Sequence, residues 1–346
     1  MIKVKLSIPK NFGIQSNKSS IYNFTGTMDN VFNGKKFYIN EEIPDAHYWF
    51  VIEDIDVEQE VVNLKNNNLI FLSAETSYHP NYFFKESKKN YLSQFKYVYT
   101  SCFTDLQNAI SSPPFVPWLI LNNHFNNSSD ISEYEFLKNT TFNKHKTMSI
   151  IYSNKQITEY QSARLNFINS LQLKFSNEFD FFSNFSGNKL EKISPYKYHL
   201  VLENQNRYNT FSEKLYDSFL GEAFTFYAGN ANIEEYFDPN SFVKINLNDF
   251  NGSVKKILNA IDENMYEKNI PAIKNSKSIV LEEFNIIKRI DNIVNNLELN
   301  EQIDNYSKVI LKNKISFENK SNKSRISYFL NKNLKHISKS LEENYE

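Results

Sequence analysis

The sequence predicts an α/β protein of two domains, followed by helices at the C-terminal end. Three observations carry this expectation. The chain has 346 residues, 40% of them apolar, which suffices for two cores in domains of about 150 residues. Its strand-like runs are short and separated by polar stretches able to hold helices, a spacing that suits βα units better than a β-sandwich. The segment from Pro195 to Phe242 reads as strand, polar turn, helix, strand, turn, helix, strand.

In chain order, MIKVKLS alternates like a first strand. Apolar runs at Tyr48–Ile52, Leu69–Ser73 and Tyr97–Ser101 predict further strands, with a helix expected within Asn81–Gln94. The Pro-rich piece Pro113–Trp118 predicts rigid extended chain beside the core; a ligand motif for SH3-type domains is the alternative. Asn122 to Lys146 is the most polar stretch of the first half. Its end marks the expected boundary between a domain of residues 1–146 and one of residues 147–275. Met148–Tyr152 opens the second unit as a strand, and Tyr198–Leu202 is a buried-type strand within it. Beyond 275 the pattern turns helical, with Ile279, Phe284, Ile287, Ile290 and Ile293 near one face. From Lys308 to Ser340 there are nine Lys/Arg and a single acid, Glu318. Toward its end and one residue past it, Ile326, Phe329, Leu330, Leu334, Ile337 and Leu341 line one helical stripe opposite Lys332, Lys335 and Lys339. Such a basic amphipathic helix either anchors on an anionic membrane surface or docks on the protein body.

Composition excludes several classes. Lys+Arg 39 against Asp+Glu 40 gives a net charge of −1, so no whole-chain field points to nucleic acid. Cys102 is the single cysteine; it rules out an internal disulfide, suits a reducing compartment, and reads as a small core residue. The N-terminus lacks the apolar core of a signal peptide, and no run of 18 apolar residues occurs. The expectation is a cytoplasmic protein, peripheral at the inner face of the membrane if the tail binds there. No Cys/His cluster fits zinc, and neither a P-loop nor a Gly-x-Ser-x-Gly elbow is present.

The residues with chemistry to offer gather at one strand-to-helix junction: Glu203, Asn204, Arg207, Glu213 and Lys214. Ligands of open α/β sheets bind beyond the carboxyl ends of strands, so this is the expected site. Thr210-Phe211-Ser212-Glu213 has the form of a capping box, with Thr210 as N-cap and Glu213 at N3. On that basis alone Glu213 is a structural cap. The helix it opens follows a buried strand, however, so its free N–H groups face the ligand side and suit a diphosphate. Lys214 adds a point charge at the same end.

This junction resembles the signature region of the α-1,3-fucosyltransferases, glycosyltransferase family 10. The matching features are a strand, then Glu203-Asn204, a short loop, and Ser212-Glu213-Lys214 opening a helix. Phe226-Tyr227-Ala228-Gly229 and Asn232–Phe237 with Pro239 follow in step, and Ser162–Ile168 is similar to the family's Arg-x-x-Phe helix. The resemblance covers residues 148–270 well and 69–120 thinly. It implies a GT-B fold: two Rossmann-like domains facing a central cleft. It further implies that Lys214 and Arg164 bind donor diphosphate, that Glu213 and Asn204 bind ribose or sugar hydroxyls, and that Thr210 and Tyr227 stand with them in the donor site. Thr210 replaces the family's usual tyrosine, Ala228 a frequent tryptophan and Ser183 a frequent glycine. These departures leave a nucleotide sugar other than GDP-fucose open as the donor.

The implied reaction is inverting transfer of L-fucose to a glycan acceptor, such as surface polysaccharide or a lipid-linked saccharide. No cofactor and no metal are expected. A base must take the acceptor's proton. Glu75, with His79 as an alternative or orienting group, lies in Ala74–Pro80, which is similar to a Glu-Ser-Pro-x-His-x-Pro segment of the family. The run Glu53, Asp54, Asp56 and Glu58 could mimic a metal site but reads better as a solvated loop. A glycan-binding protein without catalysis, descended from a transferase, is the reading of a different class.

Overall fold

The computed structural model describes residues 1–9, 21–74, 85–102, 104–121, 131–299 and 305–318. The N-terminal unit holds β1 (Ile2–Ser7), α1 (Tyr22–Thr25), β2 (Val31–Phe32), β3 (Lys35–Ile39), β4 (Asp45–Ala46), β5 (Tyr48–Ile52), β6 (Gln59–Lys65), β7 (Leu69–Leu72), α2 (Glu86–Leu92), β8 (Tyr97–Thr100), β9 (Ala109–Ser111) and α3 (Glu133–Asn139). Seven of these strands form a sheet of order β2-β3-β1-β5-β7-β8-β9. Its pairings are parallel except for that of β2 with β3.

The second unit runs β10 (Lys146–Tyr152), α4 (Glu159–Phe175), β11 (Phe179–Ser183), α5 (Leu190–Ile193), β12 (Tyr196–Leu202), α6 (Glu213–Leu220), β13 (Phe224–Ala228), β14 (Phe242–Lys244) and α7 (Phe250–Asp262). Its sheet, β11-β10-β12-β13-β14, is parallel throughout. Helices α8 (Met265–Lys268), α9 (Ile270–Glu282) and α10 (Ile286–Glu298) come next. The chain is thus the α/β protein expected from the sequence, with a third, three-stranded sheet that includes β4 and β6 beside the two larger ones.

Strand faces explain how the units join. In β12 every residue from Tyr198 to Leu202 is buried, as a strand covered on both faces must be. Leu200 and Leu202 pack with Phe167 and Ile168 of α4 and Val254 and Ile257 of α7. On the opposite side, Val201 joins Leu215, Tyr216 and Phe219 of α6 in one continuous core with Leu6, Phe50 and Ile52 of the N-terminal sheet. Helix α10 enters the same core through Ile287, Ile290 and Val294. The halves are thus cemented by apolar side chains as well as by chain connection. Arg289 clamps the Pro-rich strap, stacking 3.6 Å from the Phe115 ring and donating to the Pro113 and Pro114 carbonyls.

Three expectations change. The helical stripe after 275 is two helices, because Asn285 caps α10 by accepting from Ile287 and Lys288 N–H groups. The start of the basic tail is a strand: β15 (Tyr306–Lys312) pairs antiparallel with β6, Val309 opposite Val62. The amphipathic stripe from Ile326 to Leu341 lies outside the described residues. The acidic run is only partly solvated. The Glu53 carboxylate accepts from the Ala74 N–H at 2.8 Å and pairs with Lys314 at 2.9 Å, while burial raises the Asp54 pKa.

Candidate donor site at the sheet reversal

After β10 the chain first moves outward to β11 and then returns to the other side of β10 as β12. Between these two strands the connections diverge to opposite faces, which opens a crevice at the carboxyl edge. A pocket of about 150 Å³ sits there, lined among others by Ser153, Arg164, Asn184, Lys189, Glu213 and Lys214. Helices α4 and α6, which follow β10 and β12, supply two of its cations, Arg164 and Lys214.

Helix α6 starts differently from the predicted box. Ser212, not Thr210, is the N-cap, its hydroxyl accepting from Lys214 N–H. Glu213 is consequently the first helical residue rather than the third. The reciprocal carboxylate of a capping box comes instead from Glu203, at the end of β12. It accepts from Ser212 N at 2.9 Å and from Ser212 Oγ at 2.6 Å. Gly229 makes room for it, since a Cβ there would stand 2.5 Å from Glu203 Cγ and 2.6 Å from the Tyr227 hydroxyl. Thr210 is buried and donates to the Tyr208 carbonyl. Tyr227 is buried, its hydroxyl accepting from Asn230 N at 3.0 Å.

Arg164, only 2% exposed, donates to Asn204 Oδ1 and, at 3.2 Å, to the Ser153 carbonyl. Lys214 lies 3.3 Å from Glu213 and 3.8 Å from Glu203. Lys189 is held more firmly, 2.7 Å from Asp217, which also accepts from the Leu119 N–H of the N-terminal unit. The longer contacts make Lys214 the cation most available to a ligand.

Ionisation follows from this mixture. Burial alone would raise the Glu213 carboxyl, but the charges of Lys214 and Lys189 outweigh it and hold its pKa at about 2. Glu203 is pushed up by burial, against Lys214 and its Ser212 bonds. Burial works to lower Lys214, yet Glu213 and Glu203 carry it upward, and Asp217 and Glu213 do the same for Lys189. Both lysines stay charged at neutral pH. An incoming anion would meet two ammonium groups, one guanidinium and the N-terminal end of α6.

Of the residues singled out in sequence, Arg164, Asn204, Glu213 and Lys214 converge here, whereas Thr210 and Tyr227 do not line this pocket. Glu75 and His79 lie outside the described residues. Among those described, no group of three His, Cys, Asp or Glu stands ready to hold a metal ion. Lys189 and the capping role of Glu203 were missed. Glu203 had a signal, a carboxylate directly after a buried strand, whereas Lys189 belongs to no motif.

No protein-family model and no curated protein matches the chain. Among solved structures, an α1,3-fucosyltransferase with GDP-fucose is 13% identical and one with GDP is 15% identical, each at TM-score 0.46 over 82% of this chain and 90% of that one. A pneumococcal O-GlcNAc transferase in complex with UDP and GlcNAc is 10% identical at TM-score 0.40, over 72% of this chain and 56% of its own. Likeness this slight carries no conclusion about activity.

Proposed function

We propose that the protein is a nucleotide-sugar-dependent glycosyltransferase, inverting and metal-independent, moving L-fucose from GDP-fucose onto a glycan hydroxyl. The observation that carries this reading is the convergence of Arg164 and Lys214 on the amino end of α6, at the reversal of a parallel sheet. Departure of the donor's diphosphate needs positive charge, and these groups supply it without an ion. Asn204 and Glu213 offer acceptor and donor atoms to ribose or sugar hydroxyls. In the reaction the acceptor oxygen bonds to the anomeric carbon as the bond to diphosphate breaks, and a base takes the hydroxyl proton. Glu75 is assigned that role, with His79 as its orienting neighbour, on the family resemblance of their segment. The segment beyond residue 318 is assigned to an anionic membrane surface on its composition, which would place the protein at the inner face of the membrane.

Calorimetry with GDP, GDP-fucose and UDP tests the donor. GDP is expected to bind in the micromolar range and Lys214→Ala to weaken it at least tenfold. Tighter binding of UDP would move the donor to another nucleotide, the reading motivated by Thr210 and Ala228. Absence of binding by all three sinks the proposal.

A further inference from the structure

Lys189 enters the donor crevice from the connection between β11 and β12 and lines it together with Arg164 and Lys214. Its side chain keeps 20% of its surface exposed, whereas that of its partner Asp217 keeps 1%. The ammonium therefore stays within reach of a ligand, and the carboxylate lies beneath it. One ammonium N–H donates to Asp217 Oδ2 at 2.7 Å. A lysine has three such donors, and the other two have no hydrogen-bond partner among the described residues. Against burial, the charges of Lys214 and then Lys189 hold the Glu213 carboxyl down, so the Lys189 charge acts inside the crevice that Glu213 also lines.

Two contacts place Lys189 there, and both end on the N-terminal unit. Asp217 offers its other oxygen, Oδ1, to the Leu119 N–H at 2.8 Å. The residue after the lysine, Leu190, donates its N–H to the Ile120 carbonyl at 2.9 Å. Leu119 and Ile120 continue the strap whose prolines Arg289 clamps. Asp217 follows Glu213 by one turn of α6, on the same side of the helix. With both oxygens engaged it cannot turn without leaving a buried acceptor or donor unmet, which fixes the direction of the ammonium. A carboxylate beside an anion site opposes the ligand by its charge. Its use here is to aim a cation.

We propose that Lys189 is a third ligand of the donor's diphosphate, beside Arg164 and Lys214, and that Asp217 is the positioning residue that aims it from the N-terminal unit. That the anion is the diphosphate of a nucleotide sugar rests on the glycosyltransferase reading. The donor crevice of the second unit is thereby completed by the strap of the first.

Calorimetry on the full chain with inorganic pyrophosphate, GDP and UDP tests this. Lys189→Met is expected to weaken every probe that the wild type binds by about tenfold or more. Asp217→Asn removes a negative charge from an anion site, and charge by itself would tighten binding; with Lys189 no longer aimed, a loss of about threefold is expected instead. In the Lys189→Met background Asp217→Asn should cause no further loss, because its effect passes through the lysine. Wild-type affinity in Lys189→Met overturns the proposal and leaves the donor reading intact. Tighter binding in Asp217→Asn, or a further loss in the double variant, removes Asp217 as the positioning residue. Should Lys189→Met fail to fold because a buried carboxylate has lost its partner, the double variant carries neither charge and decides: a loss of about tenfold supports the proposal, and wild-type affinity overturns it. Wild-type protein that binds pyrophosphate but neither nucleotide would defeat the donor reading, and a loss of pyrophosphate in Lys189→Met would still keep Lys189 as an anion ligand. Absence of binding by all three probes sinks both.

Discussion

Both halves of the molecule reverse direction at their first strand, yet they make opposite crevices. In the N-terminal sheet β1 has β3 on one side and β5 on the other; in the second, β10 lies between β11 and β12. Each reversal leaves a hollow at the carboxyl edge. The N-terminal one, about 850 Å³, is lined by Glu42, Asp56 and Glu60. The other, about 150 Å³, holds Arg164, Lys189 and Lys214. The difference lies in the element that succeeds the returning strand. Strand β12 leads to α6, whose N–H groups and lysine face the hollow. Strand β5 leads to Glu53, at φ 61°, and on to β6 with no helix between. Lys5, on the first strand of that half, is already taken up by Glu60 at 2.6 Å. Topology supplies a crevice; the next element decides whether an anion is welcome in it.

The comparison can be broken most directly at Arg164. Arg164→Ala is expected to weaken GDP binding about 100-fold, or roughly 3 kcal/mol, by calorimetry. Arg164→Lys should recover only part of this, because an ammonium lacks the fork that reaches Asn204 and phosphate together. Loss in neither variant would mean that the cationic crevice is no more an anion site than the acidic one.

A smaller effect is expected from Gly229→Ala. The added methyl has to displace Glu203 or Tyr227, which should cost about 1–3 kcal/mol in urea unfolding and loosen nucleotide binding through the α6 cap. Wild-type stability in this variant would show that Glu203 does not hold the helix start.

Acid should act on the second half through two groups. Glu213 is held at about 2, so its contribution is present above its ordinary 4.5 and lost as pH falls from there toward 2. His199 is lowered to about 3, by burial first and by Lys144 and Lys189 next. The unfolded chain takes up that proton earlier, so stability declines as pH drops from 6.5 toward 3. His199→Gln should flatten the decline between about pH 6.5 and 4.5, measured by thermal melting; an unaltered slope would remove His199 from the account. The smallest effect is the control. Glu42→Ala should leave stability within about 0.5 kcal/mol and GDP affinity unchanged, and a drop in affinity would show that the two crevices act together.

Legibility in the sequence depended on range. Strands Tyr48–Ile52, Leu69–Leu72 and Met148–Tyr152 were readable because apolar runs bounded by polar turns are local signals. The convergence of Arg164 and Lys214 was readable only through a family motif. The capping partner of α6 was misassigned to Thr210, since a box read within four residues cannot see Glu203 arriving from the preceding strand. Strand β15 was hidden for the same reason: its partner β6 lies more than 200 residues earlier, and a short basic run looks alike in a tail or an edge strand. The break between α9 and α10 escaped because Asn285 continues a helical period until its side chain turns back to cap.

Local pattern thus determined the α/β class, the strands of each half and the junction where polar chemistry collects, because backbone geometry and apolar periodicity act between near neighbours. Tertiary structure alone decided that Glu203 caps α6, that Lys189 joins the crevice and that the first reversal is acidic while the second is cationic. Charges separated in sequence acquire their values only when burial strips them of water and sets them a few ångströms apart.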